Sequence, residues 1–218
     1  MTDRRPWTAG TVAALAAMAS TGCVSLLPKT APEPLYRFGG DVRSLPGGAV
    51  TPASPLRITV TLPVAAQGDA LLALTGRRAA YISGGRWVAP ATDLFREAAE
   101  RALGTHGPAG PGTARLTLSV TRFETDYDAG PDAPPVVRID GTLLLAEDGR
   151  GPRVLTPVHG EARAGENRIS TIVGAYDAAL DQVLAATASA LDRDAQSPAR
   201  VRPVQRDQAI SGLPVRPR

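Results

Sequence analysis

Apolar and polar residues alternate without a fault between residues 56 and 64. Leu56, Ile58, Val60, Leu62 and Val64 fall on one side, with Arg57, Thr59, Thr61 and Pro63 on the other. A period of two with one apolar set predicts a strand buried on one face. Pro63 has no N–H to give, so it marks the strand's end or a sheet edge. Further along, Leu116, Leu118 and Val120 alternate with Thr117, Ser119 and Thr121, and the phase slips at Arg122-Phe123, as it does at a bulge or a strand end. Val137, Ile139, Leu143 and Leu145 form the buried set of the next strand, after a polar turn over residues 126–135. A tight turn at residues 147–151 leads into a third strand over 154–164, so residues 114–164 read as an antiparallel meander. Three weaker signals complete the set. Residues 35–38 read as a short strand ended by Gly39-Gly40, residues 71–74 are apolar but ambiguous, and residues 77–83 read as a strand turned by Gly84-Gly85 into Arg86-Trp87-Val88.

Two stretches change period. From Pro90 to Leu103 the apolar positions Leu94, Phe95, Ala98, Ala102 and Leu103 make one helical stripe, with proline in the first turn and Gly104 after the last. Glu97 and Arg101 stand four apart, the spacing of a helix ion pair. In residues 170–191, Ile172, Val173, Tyr176, Leu180, Val183, Leu184, Thr187 and Leu191 recur at steps of three and four, Ser170 is placed as the N-cap, and Asp177 and Asp181 face away. Two amphipathic helices and several alternating strands bury their apolar sides only against each other. The predicted fold is therefore α/β of the α+β kind: one two-layer domain over residues 35–191, a mostly antiparallel sheet with both helices on one face.

The N-terminus follows a different logic. Arg4 and Arg5 precede a short apolar run, residues 7–19, which ends in Ser20-Thr21-Gly22-Cys23. That is the layout of a secretory signal, and the run is short of the roughly 20 residues a membrane span needs. Small residues before a cysteine resemble the lipobox of bacterial lipoproteins, although Ser20 stands where leucine is usual. Cys23 is the one cysteine among 218 residues, so the chain makes no internal disulfide and no thiolate cluster. Residues 1–22 are read as a lipoprotein signal and Cys23 as the lipidated residue; an ordinary cleaved signal with an incidental cysteine is the alternative. Acylation adds about 0.8 kcal/mol of membrane affinity per buried methylene. The Arg4-Arg5 pair leaves general and twin-arginine export both open. Val24 follows where an aspartate resembles the inner-membrane retention signal, which points to the outer membrane and leaves inner-membrane retention open. Residues 23–34 are Pro-rich and read as an extended tether.

Net charge is +3, and the unevenness of its distribution matters more than its sign. Residues 192–218 carry six Arg against three Asp, whereas residues 23–191 sum to −1. The basic excess thus reflects a tail, read as disordered and either simply solvated or drawn to anionic partners. With that distribution and nine aromatic residues in all, the chain offers no nucleic-acid-binding face.

Catalytic patterns are weak. His106 lies in a Gly/Pro loop expected to be solvated, and His159 falls on the outward register of its strand. No Gly-x-Ser-x-Gly elbow occurs. Asp126, Asp128, Gly130 and Asp132 echo a calcium loop, but the closing glutamate is missing and Pro134-Pro135 stands in its region. Gly84-Gly85 is not followed by the Lys-Ser/Thr of a phosphate loop. The expectation is a protein that is not an enzyme, with no catalytic residues, metal or cofactor. Arg86, Trp87 and Tyr81 are the candidate docking residues, because these residue types are enriched at binding hot spots. Core packing is the competing reading for Trp87 and Tyr81.

A lipobox, a Pro-rich tether, a Tyr-containing strand, the segment from Arg77 to Leu103, a three-strand block and a C-terminal helix follow in that order. The whole, over residues 20–191, resembles the ABC-type transport auxiliary lipoproteins, the PqiC-like family. Its most specific part is an Arg, a Tyr and an Arg-Trp leading into a Pro-started helix, met here by Arg78, Tyr81, Arg86, Trp87 and Pro90. The resemblance implies an auxiliary component of an MCE-type ABC lipid transport system, lipid-anchored at the periplasmic face of the outer membrane. It implies an MCE-domain protein as partner, and it leaves homo-oligomerisation open. The alternative is a structural or assembly lipoprotein unrelated to lipid flow.

Overall fold

The computed structural model describes residues 32–43, 45, 55–107, 113–147 and 150–196. The leader, Cys23, most of the tether and the tail from residue 197 lie outside the described residues.

Seven strands and two helices follow in the order β1 (Leu35–Tyr36), β2 (Leu56–Thr61), β3 (Ala70–Thr75), β4 (Arg78–Trp87), α1 (Ala91–Leu103), β5 (Ala114–Asp126), β6 (Val136–Glu147), β7 (Arg150–Arg163) and α2 (Ile169–Gln196). They form one mixed sheet, β1-β4-β3-β5-β6-β7, with β2 paired to β5. The predicted meander is present: β5, β6 and β7 run antiparallel in long ladders. The predicted phase slip is a register shift between Val120 and Arg122, where Thr121 has no opposite number.

The long edge of β5 is shared. β2 lies parallel along its first half, Leu56 opposite Ala114, and β3 lies parallel along its end, Ala73 opposite Thr125. β2 and β3 are thus one strand line, broken by residues 62–69 and the 3-10 turn Val64–Ala66. Val64, expected on the buried side, is exposed because it opens that turn after Pro63. The ambiguous stretch 71–74 belongs to β3, and a two-residue loop carries the chain into β4; Gly76 takes the φ of +59° that the first position of such a hairpin loop requires.

Both helices share one core with the sheet's inner face. α1 starts as expected after Pro90 and buries its predicted stripe together with Ala91 and Ala99. Glu97 and Arg101 pair at 2.8 Å. Gly104 follows at φ −56°, so it does not end the helix by a left-handed turn. α2 begins one residue earlier than expected: Arg168 C=O accepts the N–H groups of Thr171 and Ile172, which puts Ser170 inside the helix. It also runs five residues past Leu191, because Arg153 on β7 holds Asp194 in its last turn. Residues 192–196 are therefore helix, not part of a disordered tail. Asp177, predicted to face out, is half-buried and accepts the Gly39 N–H at 2.6 Å.

All three phenylalanines join Trp87 and Tyr176 in the centre of this core. Phe38 meets Trp87 edge-on at 4.9 Å, Trp87 meets Tyr176 at 5.1 Å, and Phe123 lies 4.8 Å from Tyr176 and 6.0 Å from Phe95. Tilted and edge-on contacts of this kind add to the area such rings bury. Tyr176 is fully buried, and its hydroxyl accepts a hydrogen bond from Thr125 Oγ1 at 3.2 Å. Burial pushes that phenol well above its ordinary range.

Candidate functional site

The three candidate docking residues all stand on β4, and the strand does not turn at Gly84-Gly85. Leu72 faces Tyr81 and Ala70 faces Arg86, so residues 82–85 oppose Leu71 alone in a wide bulge. Glycine is required there twice. Gly84 has φ +90°, and a Cβ on Gly85 would sit 2.7 Å from the Tyr36 ring.

The bulge sorts the side chains. Trp87 is turned inward at 2% exposure, with its N–H bonded to Asp69 C=O at 2.7 Å. Its side chain is core, so the docking patch drawn around Arg86 and Trp87 is corrected: the indole is not on the surface. Arg86 is exposed and bonds Asp69 and Glu33, each at 3.2 Å. Tyr81 is 57% exposed and donates its hydroxyl to Ala65 C=O at 3.1 Å.

Before the bulge, β4 is open to solvent. Residues 78–81, 83 and 84 are exposed and Ile82 is half-buried. β1 covers β4 only at Arg86 and Trp87, so among the described residues no strand pairs with residues 78–83 on the side away from β3. Arg77 and Arg78 mark the hairpin tip, exposed and with no carboxylate partner among the described residues.

The outer face of β5, β6 and β7 carries a second feature, an ion-pair ladder. Arg122 bonds Glu124 at 2.7 Å and Asp140 at 3.4 Å, and Asp140 takes His159 Nδ1 at 2.5 Å. Arg138 bonds Asp126 at 2.5 Å and Glu161 at 2.9 Å, while Arg163 bonds Asp128 at 2.8 Å. The Arg163 guanidinium holds the Asp128 carboxyl below 3.8. Two carboxylates of the calcium-like sequence are thus directed at guanidinium groups, the wrong surroundings for a cation. The ladder pairs every one of its guanidinium groups and carries five carboxylates to three arginines. Its members lie on three strands and the turn after β5, so no linear spacing announced them; the cross-strand register brings them together.

His159 is exposed on the outward register, as expected. His106 is not in solvent: it is 3% exposed just after α1, and its Nε2 has no hydrogen-bond partner among the described residues. No helix among the described residues is long and apolar enough to cross a membrane.

Comparison with known proteins identifies the fold. No family model matches the chain, and no curated protein matches it. Among solved structures, a crystal structure of a Xanthomonas campestris protein assigned to the family DUF330 superposes with a TM-score of 0.59 at 21% identity, covering 75% of this chain and 99% of that one. An uncharacterized protein superposes with a TM-score of 0.50 at 19% identity, covering 74% of this chain and 95% of that one. The chain shares the DUF330 protein's fold.

Proposed function

We propose that this protein is a lipid-anchored auxiliary component of an MCE-type ABC lipid transport system, held at the periplasmic face of the outer membrane and acting by docking without turnover. Support comes from the order of elements, a lipobox ending in Cys23, a Pro-rich tether and then this α+β domain. The observation that carries docking is the exposure of β4: Tyr81 and Arg86, two of the residues on which the family resemblance rests, are at the surface beside a strand edge that is unpaired among the described residues. The mature domain begins about a tether's length from the anchor. Residues 24–34 reach at most about 36 Å at ~3.3 Å each, enough to clear lipid headgroups.

Metabolic labelling with a palmitate analogue tests the anchor. Wild type takes up label and Cys23→Ser takes up none; equal labelling of the two would refute the lipobox. Affinity capture with the MCE-domain protein as bait tests the partner. The full chain is expected in the bound fraction, and its absence at micromolar concentrations sinks the transport reading.

A further inference from the structure

We propose that the free side of β4, from Arg78 to Ser83, is a strand-addition site that takes an extended acidic segment of a partner protein. The proposal rests on the docking half of the reading above and is independent of its transport half.

A sheet edge presents unpaired N–H and C=O groups and recruits another strand unless it is blocked. Two other edges of this sheet, those of β7 and β2, are blocked. β7 carries Pro152 and Pro157, which have no N–H, and Gln182 reaches over from α2 to close its backbone. That amide accepts Glu161 N–H at 3.2 Å and donates to Glu161 C=O at 2.9 Å. β2 is bracketed by Pro55 and Pro63 and sets the charged Arg57 between them. Between Arg78 and the bulge at residues 82–85, β4 has none of these devices. It contains no proline, and Ala79, Ala80, Tyr81 and Ile82 carry no charge.

Residues 32–34, the part of the lead-in that is described, do not close this edge. Pro34 C=O accepts the Arg86 N–H at 3.1 Å, but Pro34 has no N–H to return and Pro32 lies just before it. The bulge at residues 82–85 then breaks the line that β1 would follow.

Charge selects the occupant. Arg122, Arg138 and Arg163 on the outer face are compensated by carboxylates, whereas Arg77 and Arg78 at the end of this edge have none among the described residues; Arg57 and Arg115 also lack one, but they lie beside the proline-bracketed β2. A strand with small or apolar residues along its middle and carboxylates where it passes the hairpin tip complements both features. Residues 197–218 carry five Arg to one Asp and are repelled. A second copy of β4 brings the same uncompensated arginines.

The test uses the full mature chain, isotope-labelled, and two synthetic nine-residue peptides. Both alternate valine and threonine; one has two glutamates at each end, the other two lysines. The glutamate peptide is expected to slow amide exchange at residues 79–83 at least tenfold, and the lysine peptide to leave it unchanged. In the double variant Arg77→Glu, Arg78→Glu the preference should reverse, a readout that a folding defect cannot produce. Equal protection by both peptides, protection at β2 or β7 instead, or none overturns the proposal. Protection that rises with protein concentration alone assigns the edge to a second copy and overturns it too. Capture by the MCE-domain protein separates the two readings. If Ala79→Pro is captured as well as wild type, the edge proposal falls and the transport reading stands. If wild type is not captured but the glutamate peptide still protects, the reverse holds.

Discussion

At Trp87 the chain makes a choice that its own sequence leaves open. An Arg-Trp pair before a helix fits a surface anchor as well as a core residue, and only the bulge at residues 82–85 decides which way the indole turns. Trp87→Ala is therefore expected to lower stability by about 3–5 kcal/mol, the cost of truncating a buried aromatic. Denaturant melts read it directly; a loss under about 1 kcal/mol would mean the site collapses without a cavity. Asp177 shows the opposite kind of surprise, a helix carboxylate drawn inward. Burial raises its pKa above 3.8, with Asp181 and Asp41 adding and the Gly39 N–H opposing. A folded value above the unfolded one means the folded chain holds this proton more tightly. That contribution is full below pH 3.8 and is lost as pH rises through the folded value, so at neutral pH the buried charge weighs against the fold. Asp177→Asn keeps an oxygen for Gly39, and its Tm should exceed wild type at pH 7, with the gap closing below pH 4. A lower Tm at pH 7 would show that the bond to the ionised carboxylate outweighs its burial.

Among the elements, those with a clean period were legible and those shaped by contact were not. The stripes of α1 and α2 and the alternation of β2, β5 and β6 appear where the pattern puts them, because one apolar face per element fixes register. The last turn of α2 is different: Arg153 lies 41 positions before Asp194, and no local propensity carries that contact. The approach of α2 to β7 is equally non-local. A Cβ on Gly160 would lie 2.1 Å from Ala179 C=O, in the backbone of the helix. Gly160→Ala should therefore push α2 off the sheet and cost at least about 3 kcal/mol, at or beyond the top of the usual overpacking range. Thermal melts check this, and an unchanged Tm would place the helix farther from the strand than described. Gln182→Ala should be milder, about 1 kcal/mol for the lost hydrogen bonds. Its sharper effect is on solubility: with β7 unblocked, light scattering at high concentration should rise. A variant as soluble as wild type would show that Pro152 and Pro157 protect that edge without help.

For the molecule as a whole, the class of fold was legible and the topology was not. Two amphipathic helices and a meander imply two layers. Nothing in residues 56–75 says that β2 and β3 lie end to end along β5, because parallel pairing is made over distances that leave no turn signal. The candidate site divides the same way. Tyr81 and Arg86 were legible from residue type, but the open edge beside them is defined by which strand fails to arrive.

The aromatic cluster turns the protein into its own optical instrument. Of the two tryptophans, Trp7 belongs to the segment read as a cleaved leader, which leaves the mature chain with Trp87 as its one indole. That ring is sealed in the core against Phe38 and Tyr176, yet its backbone continues the very strand whose first half is open. Emission from the mature chain should thus be blue-shifted and come from a single environment. A strand settling beside Tyr81 would tighten β4 and alter the indole's fluorescence lifetime, so that docking is heard from inside the fold with no label attached.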